Sequence, residues 1–75
     1  MDEGHDLVGR VEREAERLQL SDIDLAALCG LSLPTIAALR RKGQSPVTAR
    51  AVRGVVAFLE RAGRARTRAD LTLAA

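Results

Sequence analysis

Between Asp22 and Arg41 the chain reads DIDLAALCGLSLPTIAALRR, two short helical patterns hinged on Gly30. Ser21, followed three residues later by Asp24, is close to a capping box and opens the first helix. Leu25, Ala26 and Leu28 form its inner face. Gly30 ends it, free to take the left-handed backbone that such a turn requires. Ser32 caps the second helix, and Pro34 falls in its first turn, where a missing N–H does no harm. Two helices meeting steeply need a small residue where they approach, and Ala26 supplies one four positions before Gly30. Leu25, Leu31, Ile36 and Leu39 close the wedge from both sides of the turn. Cys29, just before it, reads as a small buried hydrophobe rather than a reactive thiol.

Working outward, Leu7, Val8, Val11, Ala15 and Leu18 recur at helical spacing, with Arg10, Glu14 and Arg17 on the opposite face. That pattern predicts a helix from about Asp6 to Gln19. Gly43-Gln44-Ser45-Pro46 breaks the chain after the central pair. Thr48 then caps a helix running to about Ala62 through Val52, Val55, Val56, Phe58 and Leu59, with Gly63 stopping it. In the tail, Asp70-Leu71-Thr72-Leu73 alternates like a short strand. Thr67 with Asp70 equally suits the cap of a last helical turn; the strand is the expectation here. The organisation is a compact all-α domain of four to five helices over residues 1–63, and a tail over 64–75.

Seventy-five residues make one domain, near the lower limit for folding alone. Phe58 is the only aromatic, so the core is aliphatic. No apolar run approaches the ~20 residues that cross a membrane. The acidic start, MDEGHD, is no signal peptide. One cysteine excludes an internal disulfide and a cysteine-clustered zinc site. A cytoplasmic protein with no cofactor and no metal is expected. Enzymatic chemistry finds no support. His5 is the only histidine, Glu12 and Glu16 alternate with Arg13 and Arg17 as ordinary helix-surface pairs, and no glycine loop could cradle a phosphate.

Charge is segregated along the chain. Residues 1–30 carry eight acids against three arginines, a net −5, and residues 31–75 carry nine bases against two acids, a net +7. Such asymmetry suggests one surface built for a polyanion and another that repels it. A tight helix pair followed at once by Arg40-Arg41-Lys42 is the sequence form of a helix-turn-helix nucleic-acid reader.

Leu25-Ala26, Gly30-Leu31-Ser32, Thr35-Ile36 and Leu39 resemble the helix-turn-helix of the lambda-repressor-like superfamily. Within it the stretch is similar to the XRE (Cro and phage-repressor) type, where Gly-hydrophobe-Ser-x-x-Thr-Ile opens the reading helix. Ser45-Pro46 ahead of Phe58-Leu59-Glu60-Arg61-Ala62-Gly63 resembles short members of that family, and Val47-Thr48 is similar to the lactose-repressor type as well. The likeness covers about residues 5–63. It implies a compact domain, usually a dimer, that binds operator DNA.

Carried onto this chain, the resemblance lays Ser32 to Arg41 in the major groove. Leu33, Pro34, Thr35, Ala37 and Ala38 then face base edges. These departures from Gln, Asn or Arg leave mainly apolar contact, for instance with a thymine methyl. Asp22 is a second departure, because an acid at the start of the first helix of the pair repels phosphate. Ser32, Arg40, Arg41, Lys42, Ser45, Thr48, Arg50 and Arg53 are the phosphate candidates. Five engaged cations would give a log–log salt slope of roughly −4 to −5. Phe58, Leu71 and Leu73 are the dimerisation candidates, the tail strand pairing across a two-fold axis. The expected function is a small dimeric repressor acting on double-stranded DNA by operator occupancy, in the nucleoid. The alternative is a protein-interaction or antitoxin-like module that keeps the fold and binds a protein partner.

Overall fold

The computed structural model describes the backbone of residues 3–73 and the side chains of residues 7–71. Among the described residues five helices follow one another: α1 Glu3–Arg17, α2 Asp22–Cys29, α3 Leu33–Arg41, α4 Ala49–Arg64 and α5 Arg68–Leu73. The protein is all-α, with no strand among the described residues.

The caps form where local spacing places them. Ser21 Oγ accepts from the Asp24 N–H at 3.2 Å while the Ser21 N–H donates to Asp24 Oδ2 at 3.0 Å, a complete capping box. Ser32 Oγ accepts from the Thr35 N–H at 3.3 Å, and Thr48 Oγ1 from that of Ala51 at 3.0 Å. Gly30 takes a φ of 68°, and the Leu31 N–H reaches back to the Ala26 carbonyl at 3.0 Å. That bond turns the chain sharply out of α2.

α1 ends earlier than the periodicity predicts, for a similar reason. Gln19 adopts a φ of 56°, and the Leu20 N–H bonds the Ala15 carbonyl at 2.8 Å. Leu20 is thereby folded under the helix and buried, the hydrophobic contact that accompanies this cap. Gly63 does not stop α4, which runs on to Arg64 before Ala65 turns extended. The stop comes from outside. Arg17 of α1 donates to the carbonyls of Ala62 at 2.6 Å and Ala65 at 2.9 Å, adding to the Ala65 N–H that already reaches Ala62 and satisfying Ala65 itself.

The tail corrects the strand expectation. Residues 68–73 form α5, because Asp70 Oδ2 accepts from the N–H groups of Arg66 at 2.7 Å and Thr67 at 3.1 Å and so starts a helical turn. Those two bonds hold the Asp70 carboxyl below its ordinary pKa. A single strand, by contrast, would have had no ladder partner.

α1 packs on α4 and α3, and α2 on α3 and α4. Phe58, Leu25, Ile36, Leu71, Val11 and Val55 are the largest side chains fully enclosed between them. Two dimerisation candidates are therefore corrected: Phe58 is 0% exposed and Leu71 2%, both spent on the monomer's own core. The side chain of Leu73 lies outside the described residues. Cys29 is buried, and burial pushes its thiol up to about 11, so it stays protonated at neutral pH. No single described helix is long and apolar enough to cross a membrane; α2 and α3 reach that length and apolarity only as a pair, bent by 114° at the turn between them.

Candidate nucleic-acid interface

The 114° between α2 and α3, across the three-residue turn Gly30-Leu31-Ser32, is helix-turn-helix geometry. Its second helix presents Leu33, Pro34 and Thr35 to solvent at the N-terminal end, with Ala37 and Ala38 half-buried behind them. Ser32 Oγ and Thr35 Oγ1 hydrogen-bond each other at 2.8 Å, so two of the polar atoms on this face already hold a partner.

Beside α3 lies an open groove of about 680 Å³, with Pro34, Thr35 and Ala38 on one wall. Ser45, Val47 and Thr48, from the loop leading into α4, form the other. Ser45 is half-buried there, the Thr48 hydroxyl caps α4, and Val47 is 90% exposed.

The arginines depart most from expectation. Arg40 faces the protein. Its Nε and Nη2 donate to the two carboxylate oxygens of Glu12, at 3.2 and 2.9 Å, and Nη1 donates to Asp22 Oδ1 at 2.7 Å. Arg41 Nη1 donates to Asp22 Oδ2 at 2.7 Å. One chain of charges thus runs from α1 through α3 to α2. The bond from Arg41, joined by that from Arg40, holds the Asp22 carboxyl below its usual range. The Glu12 carboxylate in turn raises Arg40. Arg40 is corrected from a phosphate contact to a structural tie. The acids of the first thirty residues do not form a separate repelling face here, since Glu12 and Asp22 sit against the end of α3.

Arg40→Ala is therefore expected to cost about 1–2 kcal/mol, because it leaves Glu12 without its hydrogen-bonded cation and Asp22 with Arg41 alone. A thermal melt should fall by about 5–15 °C. Arg40→Lys should not restore it, since one ammonium cannot span both partners in the way a planar fork does. An unchanged melting temperature for Arg40→Ala would show the network to be incidental.

Three of the phosphate candidates keep their charge available. Among the described residues the side chains of Lys42, Arg50 and Arg53 have no hydrogen-bond or ion-pair partner, and those of Arg10, Arg13 and Arg66 feel only the charge of Glu14 or Asp70. The others are engaged: Arg17 pairs with Glu14, Arg61 donates to the Leu71 carbonyl, Arg64 to that of Glu60, and Arg68 pairs with Asp24. Lys42 closes α3, and Arg50 and Arg53 lie in the first turns of α4, so the free cations stand at both ends of the groove-forming loop. An arginine pair at a helix start opposes the helix dipole, an arrangement that an incoming anion relieves. Sequence reasoning found these residues but not Glu12 as the partner of Arg40; 28 residues separate the two, and no local spacing announces the pair.

No protein-family model, curated protein or solved structure matches the chain.

Proposed function

We propose that the protein is a helix-turn-helix DNA-binding regulator of the lambda-repressor-like kind, acting as a small dimeric repressor by occupying its operator. The observation that carries this reading is the coincidence of two features. A helix pair at 114° exposes the N-terminal face of its second helix, and three cations without hydrogen-bond or ion-pair partners, Lys42, Arg50 and Arg53, flank that helix. Lys42, Arg50 and Arg53 grip phosphates, with the Thr48-capped start of α4 beside them. Leu33, Pro34 and Thr35 approach the bases, where apolar contact and DNA shape carry what selectivity there is. One such unit reads few base pairs, which favours a two-fold dimer on spaced half-sites. With Phe58 and Leu71 committed to the core, its contact draws on exposed residues instead.

A mobility-shift titration with random duplex at several salt concentrations tests the proposal. Three phosphate-bound cations give a log–log slope of about −3, shallower than a count including Arg40 and Arg41 would. No shift at low salt sinks it.

One observation favours a second reading, a protein-interaction module. Val47, 90% exposed, stands on the wall of the largely apolar groove, and a peptide side chain would fit there. That reading gains if duplex fails to bind while Val47→Asp abolishes capture of a defined protein partner.

A further inference from the structure

Asp22 is an acid placed where a helix-turn-helix protein would meet phosphate, and the structure gives it an occupation. Its two oxygens each accept one hydrogen bond from a guanidinium, Oδ1 from Arg40 and Oδ2 from Arg41, both at 2.7 Å. Two anionic oxygens serving adjacent arginines is also the geometry of a phosphodiester's two free oxygens.

The two arginines are not equally bound. Arg40 is 21% exposed and has a second anchor in both oxygens of Glu12. Arg41 is 68% exposed and has Asp22 alone among the described residues. A solvent-exposed pair of this kind is weak, so Arg41 can be freed at small cost to the fold. Asp22 would not be stranded by the loss. It keeps Arg40, and it opens α2, where the helix dipole favours a negative charge. Arg41 is adjacent to Lys42, one of the unpartnered cations, so it stands at the edge of the face already described.

We propose that Asp22 is an intramolecular stand-in for phosphate: it clasps Arg41 and withholds it from duplex, exchanging it for a phosphate oxygen only when the Asp22 charge is removed. The inference rests on the nucleic-acid reading above. Its consequence is that the chain holds one cation in reserve and binds duplex more weakly, and with less salt dependence, than its charge count allows. Arg41 is the exchangeable arginine; Arg40 stays with Glu12.

Equilibrium titrations of the full chain with a random 20-base-pair duplex, read by fluorescence anisotropy over a range of salt, test this. Asp22→Asn keeps the side-chain shape and an oxygen for Arg40 while removing the charge. It should bind about tenfold tighter at low salt, with a slope steeper by about one. Adding Arg41→Ala to Asp22→Asn should cancel both gains, whereas Arg41→Ala in the wild-type background should change affinity by less than about twofold. Glu12→Gln removes an equal charge from the other end of the network but leaves Arg41 clasped, so its slope should match wild type. Asp22→Ser replaces the asparagine variant if melting shows that one unfolded. With duplex bound, three results overturn the exchange alone: an unchanged slope for Asp22→Asn, equal cost of Arg41→Ala in both backgrounds, or equal steepening by Glu12→Gln. Absence of binding by every protein at low salt overturns the nucleic-acid reading and the exchange with it.

Discussion

Phe58→Ala is expected to lower the melting temperature by about 15–30 °C, or to abolish a cooperative transition altogether. Phe58 is 0% exposed, and truncating a buried phenylalanine to alanine costs about 3–5 kcal/mol in lost transfer energy and residual cavity. A domain of 75 residues has only about 4–11 kcal/mol in total, so the loss is a large fraction of it. The chain has no second aromatic to fill the gap. Phe58→Leu, which keeps most of the volume, should cost about 1–2 kcal/mol. Circular dichroism melts check both. Had Phe58 been an inter-subunit contact, the alanine variant would dissociate while staying helical at an unchanged melting temperature; that outcome would remove it from the core.

The expectation that Phe58 and Leu71 face a partner shows where reading from sequence stops. Periodicity marks Phe58 as apolar on α4, but an inward stripe and an interface stripe look the same until neighbouring helices are placed. Caps are legible because their chemistry closes within three or four residues. Ser21 with Asp24, Gly30, Ser32 and Thr48 all behave as the spacing predicts. Gln19 was not legible, since nothing about glutamine announces a positive φ; the turn forms because Leu20 gains burial by it. In the tail, Leu71 and Leu73 suggested alternation, but the Asp70 carboxylate satisfies two backbone N–H groups at once, and that local bond outranks a pattern of two residues.

The candidate site divides in the same way. The helix pair and the exposed start of α3 follow from the sequence, while the fate of each arginine does not. Charge that is segregated along the chain is mixed in space, because α1 and α2 bring Glu12 and Asp22 against the end of α3. An arginine in a basic run is then available to a polyanion only if no carboxylate or helix-end carbonyl reaches it first. Among the phosphate candidates that test leaves Lys42, Arg50 and Arg53, while Asp22 is the acid that reaches Arg41.

Gly54→Ala and Gly63→Ala, two identical substitutions in α4, should act with opposite sign. Alanine is favoured over glycine in a helix interior by about 0.5–1 kcal/mol, and at Gly63 a new Cβ meets nothing within 4 Å. Gly63→Ala should therefore raise the melting temperature by a few degrees. At Gly54 the same Cβ would fall well inside van der Waals contact distance of the Cys29 carbonyl oxygen and 3.2 Å from its carbonyl carbon. Both are backbone atoms in the last turn of α2, so no side chain can swing aside. α2 and α4 must separate instead, which opens the contacts of Leu25 and Val55 and costs about 3 kcal/mol, net of the helix-propensity gain. A drop of about 12–24 °C follows for a domain of this size. Because Cys29 directly precedes the Gly30 turn, pushing α2 away also displaces the hinge that aims α3. Duplex binding should then weaken in Gly54→Ala even at temperatures where the variant remains folded. A melting temperature equal to or above wild type would mean that α2 and α4 are not in this close contact, and the packing that orients α3 would have to be redrawn.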